Sequence, residues 1–139
     1  MPRPVFFDTN IFVYADDSSA PAKQARAGQL IADHLRARRL VVSIQVLQEY
    51  FAAATSKLGV APEIAQQKVQ VLARARVVRI TEDDVIAAIE LHRLHHISFW
   101  DAMIVHAARR AGAEALFSED LQHGATLGGI RIENPFLAE

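Results

Sequence analysis

Short apolar runs alternate along this 139-residue chain with longer segments that have helical periodicity. The runs have the length of buried strands, and the longer segments carry helix signals such as an early proline or a terminal glycine. This pattern predicts strands at residues 5–7, 40–42, 77–80, 115–117 and 130–132, and helices at 21–38, 62–75, 81–95 and 98–110, with a further helix that follows the second strand and stops at residue 59.

Strands that alternate with helices predict a parallel sheet with helices on both of its faces. We therefore expect one α/β domain over residues 1–139, with three α/β/α layers and a mainly parallel sheet of four to five strands. In such sheets the active residues lie beyond the carboxyl ends of the strands.

The composition is that of an ordinary folded domain, with 51% apolar and 22% charged residues. The net charge of -1 argues against a protein held on nucleic acid by overall positive charge, although it leaves a local basic patch open. The chain has no cysteine, which excludes disulfides, thiol catalysis and thiolate zinc sites. The first residues do not form a signal peptide and no apolar run is long enough to span a bilayer, so we expect a cytosolic protein.

Two aspartates lie just after predicted strands. Asp8 comes after the first strand, in VFFDTNIFVY, and Asp120 comes after the fourth, in ALFSEDLQHG. Each has an ordinary structural explanation, because aspartate caps helix starts and Ser118 or Asp120 can cap a turn. Their positions at the ends of strands suit an active site equally well.

Two further aspartates have the spacing of a capping box, Ser98 with Asp101 and Thr81 with Asp84. Asp84 lies in a run of three acids, which predicts a solvated helix start. Asp101 is isolated among apolar residues, and a carboxylate in such surroundings tends to be hydrogen-bonded or bound to a cation. We therefore expect Asp101 to be functional, a role that is compatible with capping.

The helix that ends at residue 59 carries one carboxylate, Glu49, on a small and nearly neutral face. Glu49 is either a solvated surface charge or a group that this helix presents to a site. The predicted buried stripe lies on the other side of the helix and consists of Ile44, Leu47, Phe51, Ala54 and Leu58.

These four acids all belong near one edge of the predicted sheet. Clustered carboxylates repel one another, so they require a cation or shared protons. Hard oxygen ligands in a chain without cysteine suit Mg²⁺ or Mn²⁺. Such a cluster is well suited to metal-assisted phosphoryl chemistry, in which the cation holds phosphate oxygens and activates water.

Four segments, in this order and spacing, resemble the PIN domain, and more narrowly the VapC-type toxin ribonucleases of toxin–antitoxin pairs. They are FFDTNIFVYA, QVLQEYF, SFWDAMIVHAA and LFSEDLQHG, and the resemblance covers nearly the whole chain.

The resemblance implies an α/β/α fold, Mg²⁺- or Mn²⁺-dependent endoribonuclease activity, an antitoxin protein as partner, and a homodimer or a higher complex with that antitoxin. Asp8 and Asp101 are the first candidates for direct metal ligands, and Asp120 is the weakest. The family's acidic positions correspond to Asp8, Glu49, Asp101 and Asp120, and its polar supporting positions to Asn10 and Ser118.

Two other functions stay open. An aspartate-based phosphatase would use Asp8 as a nucleophile, but phosphatases of that type carry a second aspartate where this chain has Asn10. A PIN-like binding module without catalysis is the non-enzymatic alternative, and the presence of all four acids argues against it. Trp100, next to Asp101, is predicted to pack in the core, with base stacking as a second interpretation.

Overall fold

The structure is a computed structural model that describes residues 3–137. Its helices and strands alternate as the sequence predicts. In chain order they are β1 (Val5–Phe7), α1 (Thr9–Ala15), α2 (Pro21–Arg36), β2 (Leu40–Ser43), α3 (Ile44–Ser56), α4 (Pro62–Leu72), β3 (Arg76–Val78), α5 (Glu82–His95), α6 (Phe99–Arg110), β4 (Ala115–Phe117), β5 (Thr126–Leu127) and β6 (Ile130–Glu133).

The described strands form one sheet in the order β3-β2-β1-β4-β6-β5. All neighbouring strands are parallel except β5 and β6, which are antiparallel. In the middle of the sheet, Phe6 pairs with Val41 of β2 and Phe7 pairs with Phe117 of β4. Because parallel strands end on the same side, the carboxyl ends of β1, β2 and β4 meet at one edge of the sheet.

Helices cover both faces of this sheet. Val5, Phe6 and Phe7 are each at most 2% exposed, and consecutive strand residues point to opposite faces, so the burial of all three requires cover on both sides. Among the helices, α1 contacts α2 and α3, α3 contacts α4, and α5 packs against α6. The core therefore lies in two layers, one on each side of β1.

The predicted α/β class with a mainly parallel sheet is confirmed, but the sheet has six strands rather than four or five. The additional strand, β5, is two residues long and too short to form a recognisable apolar run. The predicted helices also lacked α1, whose seven residues follow β1 after a single residue. The third strand lies at Arg76–Val78, slightly before its predicted position. No described helix is both long and apolar enough to cross a membrane.

The buried face of α3 differs from the predicted stripe. Its buried residues include Val46, Tyr50 and Ala54, which recur every four residues, whereas Phe51 is 39% exposed. The reason is tertiary, because α3 packs between α1, α4 and β2, so the contacts of several elements decide which side is buried. The residue before α3, Ser43, caps the helix by accepting a hydrogen bond from the amide of Val46.

Candidate active site

The end of β1 places Asp8 beside the end of β4. The amide of Asp8 donates to the carbonyl of Phe117 at 2.9 Å, which extends the β1–β4 pairing by one residue. This register brings Ser118 next to Asp8, and the hydroxyl of Ser118 donates to Oδ2 of Asp8 at 2.7 Å. The other oxygen, Oδ1, accepts from the amide of Thr9 at 2.7 Å, so Asp8 also caps α1. The carboxyl group of Asp8 thus caps α1 and also lies at the candidate site.

Asp8 is deeply buried, with 4% of its surface exposed. Burial raises its pKa, and the carboxylates of Asp120 and Glu49 add to that effect, against the hydrogen bonds from Ser118 and Thr9 that lower it. The net result raises the pKa of Asp8 to about 7. A carboxyl group with this pKa gains strongly from a bound cation, because the cation stabilises the ionised form.

Glu49 projects from α3 and is held by two neighbours. The hydroxyl of Thr9 donates to Oε1 of Glu49 at 2.7 Å, and the amide of Gln45 donates to Oε2 at 3.3 Å. Gln45 stands one helical turn before Glu49 and is buried. It also donates to the backbone carbonyl of Trp100 at 3.2 Å, which ties α3 to the start of α6.

Asp101 lies in the first turn of α6. Its amide donates to the hydroxyl of Ser98 at 3.0 Å, so the predicted cap is present. Burial raises the pKa of Asp101, the Ser98 hydroxyl lowers it, and the carboxylates of Asp120 and Glu49 raise it further. The negative charges of two other predicted site residues thus contribute to the raised pKa of Asp101.

Asp120 lies in the segment after β4 and is exposed. Its amide donates to the hydroxyl of Ser118 at 3.1 Å, which is the turn interaction that sequence alone suggests. Its Oδ2 accepts from the amide group of Asn10 at 3.1 Å. The predicted supporting residues Asn10 and Ser118 therefore both contact a predicted acid.

One cavity of about 590 Å³ joins these residues. It opens beyond the carboxyl ends of the parallel strands, and Ala52 and Ala53 line it on the α3 side, next to Glu49. Ser118 is fully buried behind Asp8 and does not line the cavity. The predicted site residues in the lining are Asp8, Asn10, Glu49, Asp101 and Asp120.

Trp100 is not a core residue, so its predicted packing is wrong. Its side chain is 63% exposed and lines the cavity beside Asp101. The apolar neighbour that does pack against the core is Phe99, whose ring meets that of Trp100 edge-on at 5.0 Å. Consecutive residues of a helix point about 100° apart, so one of the two faces inward and the other faces the cavity.

Sequence reasoning missed a group at the rim of the cavity. The hydroxyl of Tyr14 donates to Oε1 of Glu119 at 2.5 Å, and the ammonium of Lys23 donates to Oε2 of the same carboxylate at 2.5 Å. Lys23 also lies 4.6 Å from the centre of the Tyr14 ring. The acid before Asp120 is therefore neutralised within the fold, and no sequence spacing links the three residues.

The chemistry of the cavity fits a hard divalent cation, although the cation site is not preassembled. All the predicted ligands offer oxygen, and Oδ1 of Asn10 is buried with no hydrogen-bond partner among the described residues. Across residues 3–137, no three Asp, Glu or His side chains are close enough together to hold a metal ion.

Comparison with known proteins identifies the family. The family model for the PIN domain matches residues 5–126, and the chain therefore belongs to the PIN domain family. No curated protein sequence matches the chain.

The fold is shared with solved structures of toxins. VapC20 of Mycobacterium tuberculosis, described as a toxin that cleaves the sarcin-ricin loop, is 21% identical over 82% of this chain and 88% of its own, with a TM-score of 0.68. A toxin–antitoxin complex from Klebsiella pneumoniae is 19% identical over 95% and 98%, with a TM-score of 0.68. DNA-bound VapBC from Salmonella typhimurium is 20% identical over 95% and 98%, with a TM-score of 0.66. At these identities the comparison shows a common fold.

Proposed function

We propose that this protein is a Mg²⁺- or Mn²⁺-dependent endoribonuclease that acts as the toxin of a type II toxin–antitoxin pair. The observation that carries the proposal is the convergence of acids from four separate parts of the chain on one cavity at the carboxyl edge of the sheet. An acidic cavity of this kind has no evident structural purpose, since it keeps like charges together. Membership of the PIN domain family supports the same conclusion. The four acids are Asp8, Glu49, Asp101 and Asp120.

In this proposal the acids hold the cation, with Asp8 and Asp101 as the first direct ligands. Ser118 and Thr9 orient the Asp8 carboxylate by donating to its two oxygens. Thr9 and Gln45 orient Glu49 in the same way. When bound, Mg²⁺ or Mn²⁺ would supply positive charge for the phosphate oxygens and activate water for attack on phosphorus.

The side chains near the cavity favour hydrolysis by water over a covalent intermediate. The hydroxyl of Ser118 is fully buried and already donates to Asp8, so it is not available as a nucleophile. His106, on the same helix as Asp101, contacts Asp84 instead of the cavity. A phosphatase reaction through Asp8 would need a nearby general acid, and the residue two positions on is Asn10, which donates to Asp120.

The decisive experiment is cleavage of structured RNA by purified protein free of antitoxin. We expect cleavage with Mg²⁺ or Mn²⁺ and none with EDTA. Asp8→Asn should abolish cleavage, and Glu90→Gln, an exposed acid on α5, should leave it unchanged. Undiminished cleavage in EDTA would exclude the metal mechanism, and intact binding of RNA without any cleavage would favour a binding module that lacks catalysis.

The toxin assignment rests on the structural neighbours, two of which were solved as VapBC or toxin–antitoxin complexes. The partner would be a small antitoxin protein, and the protein would form a homodimer or a higher complex with it. Exposed apolar side chains on α5, with Ile86 56% and Leu94 70% exposed, suit such assembly. Expression alone should arrest growth and co-expression of a neighbouring small gene should restore it, whereas harmless expression of an active nuclease would contradict the toxin role.

A further inference from the structure

Trp100 occupies an unusual position for a large aromatic residue. It is 63% exposed, although burial of an indole ring is strongly favourable, and it lies directly beside a predicted metal ligand, Asp101. The chain has no other tryptophan. An exposed aromatic ring that lines an acidic cavity is therefore a candidate for contact with a ligand.

The backbone and the ring of Trp100 are both held in place. The backbone carbonyl accepts a hydrogen bond from buried Gln45, and the same Gln45 amide donates to Glu49. The ring rests edge-on against Phe99, which packs on the core. The position of Trp100 is thus coupled to that of a predicted metal ligand, and the ring is a preorganised surface whose ordering costs little on binding.

The charge of the cavity indicates what Trp100 would contact. Of the residues in the lining, five are acids and one, Lys57, is a cation. RNA therefore gains little from ionic contacts with the residues that line this cavity. Stacking of a base on an aromatic ring does not depend on charge and tolerates any base, since each base has a π-face.

The α3 wall of the cavity leaves space for a flat group. Ala52, Ala53 and Ser56 on α3 line the cavity together with Trp100, and none of them has a long side chain. A base that lies on the indole would place its phosphate in the cavity that Asp101 also lines. Only an unpaired base exposes a face for this contact, since a base within a duplex is already stacked on both sides.

We propose that Trp100 is the stacking platform for an unpaired base next to the phosphate that is cleaved. This inference rests on the ribonuclease function proposed above. Trp100 would then be a binding and positioning residue, while the acids carry the chemistry.

The single tryptophan makes the inference directly measurable. Fluorescence of the parent protein in EDTA, excited at the red edge of the absorption band where the two tyrosines do not absorb, reports on Trp100 alone. We expect quenching by a short single-stranded RNA of about ten nucleotides but not by the same sequence in a duplex. Trp100→Leu should weaken binding of the single strand roughly 5- to 100-fold, the range that removal of one stacking aromatic gives. Trp100→Phe should retain most of the affinity because it keeps an aromatic face.

Two further measurements separate stacking from other roles of Trp100. The salt dependence of RNA binding should be the same in the parent and in Trp100→Leu, since no ionic contact is lost. Melting temperatures of the two should agree, because an exposed side chain contributes little to stability. A change of oligomeric state in Trp100→Leu, with RNA binding intact, would assign the ring to a protein interface and overturn the inference.

The outcomes also distinguish this inference from the function on which it rests. Cleavage of RNA with Mg²⁺ or Mn²⁺, together with unquenched Trp100 fluorescence and normal binding by Trp100→Leu, would overturn the stacking role and leave the ribonuclease intact. Absence of both binding and cleavage in the parent protein would overturn both. Equal quenching by single-stranded and duplex RNA would overturn the preference for unpaired bases.

Discussion

The starts of α5 and α6 carry the same local motif with opposite results. In each, a hydroxyl residue caps the helix and an aspartate follows three positions later, Thr81 with Asp84 and Ser98 with Asp101. In α5 the carboxylate turns back and accepts from the amide of Thr81 at 2.8 Å, which closes the capping box. In α6 the Ser98 cap is present, but the Asp101 carboxylate lines the acidic cavity instead.

The surroundings of Asp84 explain the difference. It was predicted to be solvated and is in fact 7% exposed, with His106 donating at 2.8 Å and Arg110 at 2.7 Å. Arg109 donates to Nδ1 of His106, so the proton of the neutral imidazole lies on the nitrogen that faces Asp84. Burial raises the pKa of Asp84, but these hydrogen bonds and charges outweigh it and lower the pKa to about 2.

The comparison shows that two capping motifs of the same spacing place their aspartates in opposite electrostatic surroundings. Each oxygen of Asp84 accepts hydrogen bonds, one from the imidazole of His106 and the other from Arg110 and Thr81, so Asp84 stabilises the contact between α5 and α6. Asp101 is surrounded by other carboxylates, and its pKa is raised. A carboxylate with partners in the fold contributes to stability, whereas a carboxylate among like charges is a candidate for a functional role.

The largest effect is expected from Asp101→Asn. This change keeps the size of the side chain and the Ser98 cap, but it removes one charged ligand from the cavity. We expect cleavage of RNA to fall at least about 100-fold with the fold intact, the scale on which single electrostatic groups act. Cleavage rates and melting curves of the variant, beside those of Asp83→Asn on the exposed start of α5, provide the check. Near-normal cleavage would reduce Asp101 to a helix cap.

The corresponding change at the start of α5, Asp84→Asn, should lower the stability of the fold and leave the cleavage of RNA unchanged. It leaves His106 and Arg110 without their anionic partner, and loss of one member of a buried pair costs up to about 3–5 kcal/mol. Because the Arg110 side chain is 44% exposed, we expect roughly 2–3 kcal/mol of lost stability. Denaturant unfolding measures this loss, and cleavage per folded molecule should stay close to the parent value. A variant as stable as the parent would show that the contacts of Asp84 with His106 and Arg110 contribute no net stability.

The two motifs also show which features of the fold and of the candidate site can be predicted from the sequence. Sequence predicts the alternating elements, because strands and helices depend on neighbours that are close in the chain. It cannot distinguish Asp84 from Asp101, since the partners of Asp84 lie 22 and 26 residues away. The link from Gln45 to Trp100 spans 55 residues, which is why neither the buried amide nor the exposed indole was anticipated. The predicted acids do line one cavity, because the ends of parallel strands must meet at one edge.

The pH dependence of stability separates the two kinds of carboxyl group. The pKa of Asp8 is raised from 3.8 to about 7, so between these values the folded protein binds more protons than the unfolded chain. In EDTA, stability should therefore fall as the pH rises from about 5 to 8, and one unit of the shift alone amounts to about 1.4 kcal/mol. Asp84, with a pKa of about 2, stays ionised throughout this window and contributes no slope. Unfolding curves of the parent and of Asp8→Asn test this, since the variant should lose most of the dependence. An equal slope in both proteins would show that Asp8 is not its source.

The smallest effect is expected at Glu49, whose surroundings combine features of those of Asp84 and of Asp101. It faces the acidic cavity, yet Thr9 and Gln45 donate to its two oxygens. Glu49→Gln relieves repulsion with the other acids but weakens one of these hydrogen bonds, so in EDTA at low salt we expect a gain in stability of less than about 1 kcal/mol. In millimolar Mn²⁺ the order should reverse, because binding to the native state stabilises the parent in proportion to its higher metal affinity. Two melting curves per protein, with EDTA and with Mn²⁺, decide the matter. Equal stabilisation of both proteins by Mn²⁺, with no gain in EDTA, would make Glu49 a structural partner of Thr9 and Gln45, and the cation would then depend on Asp8, Asp101 and Asp120 alone.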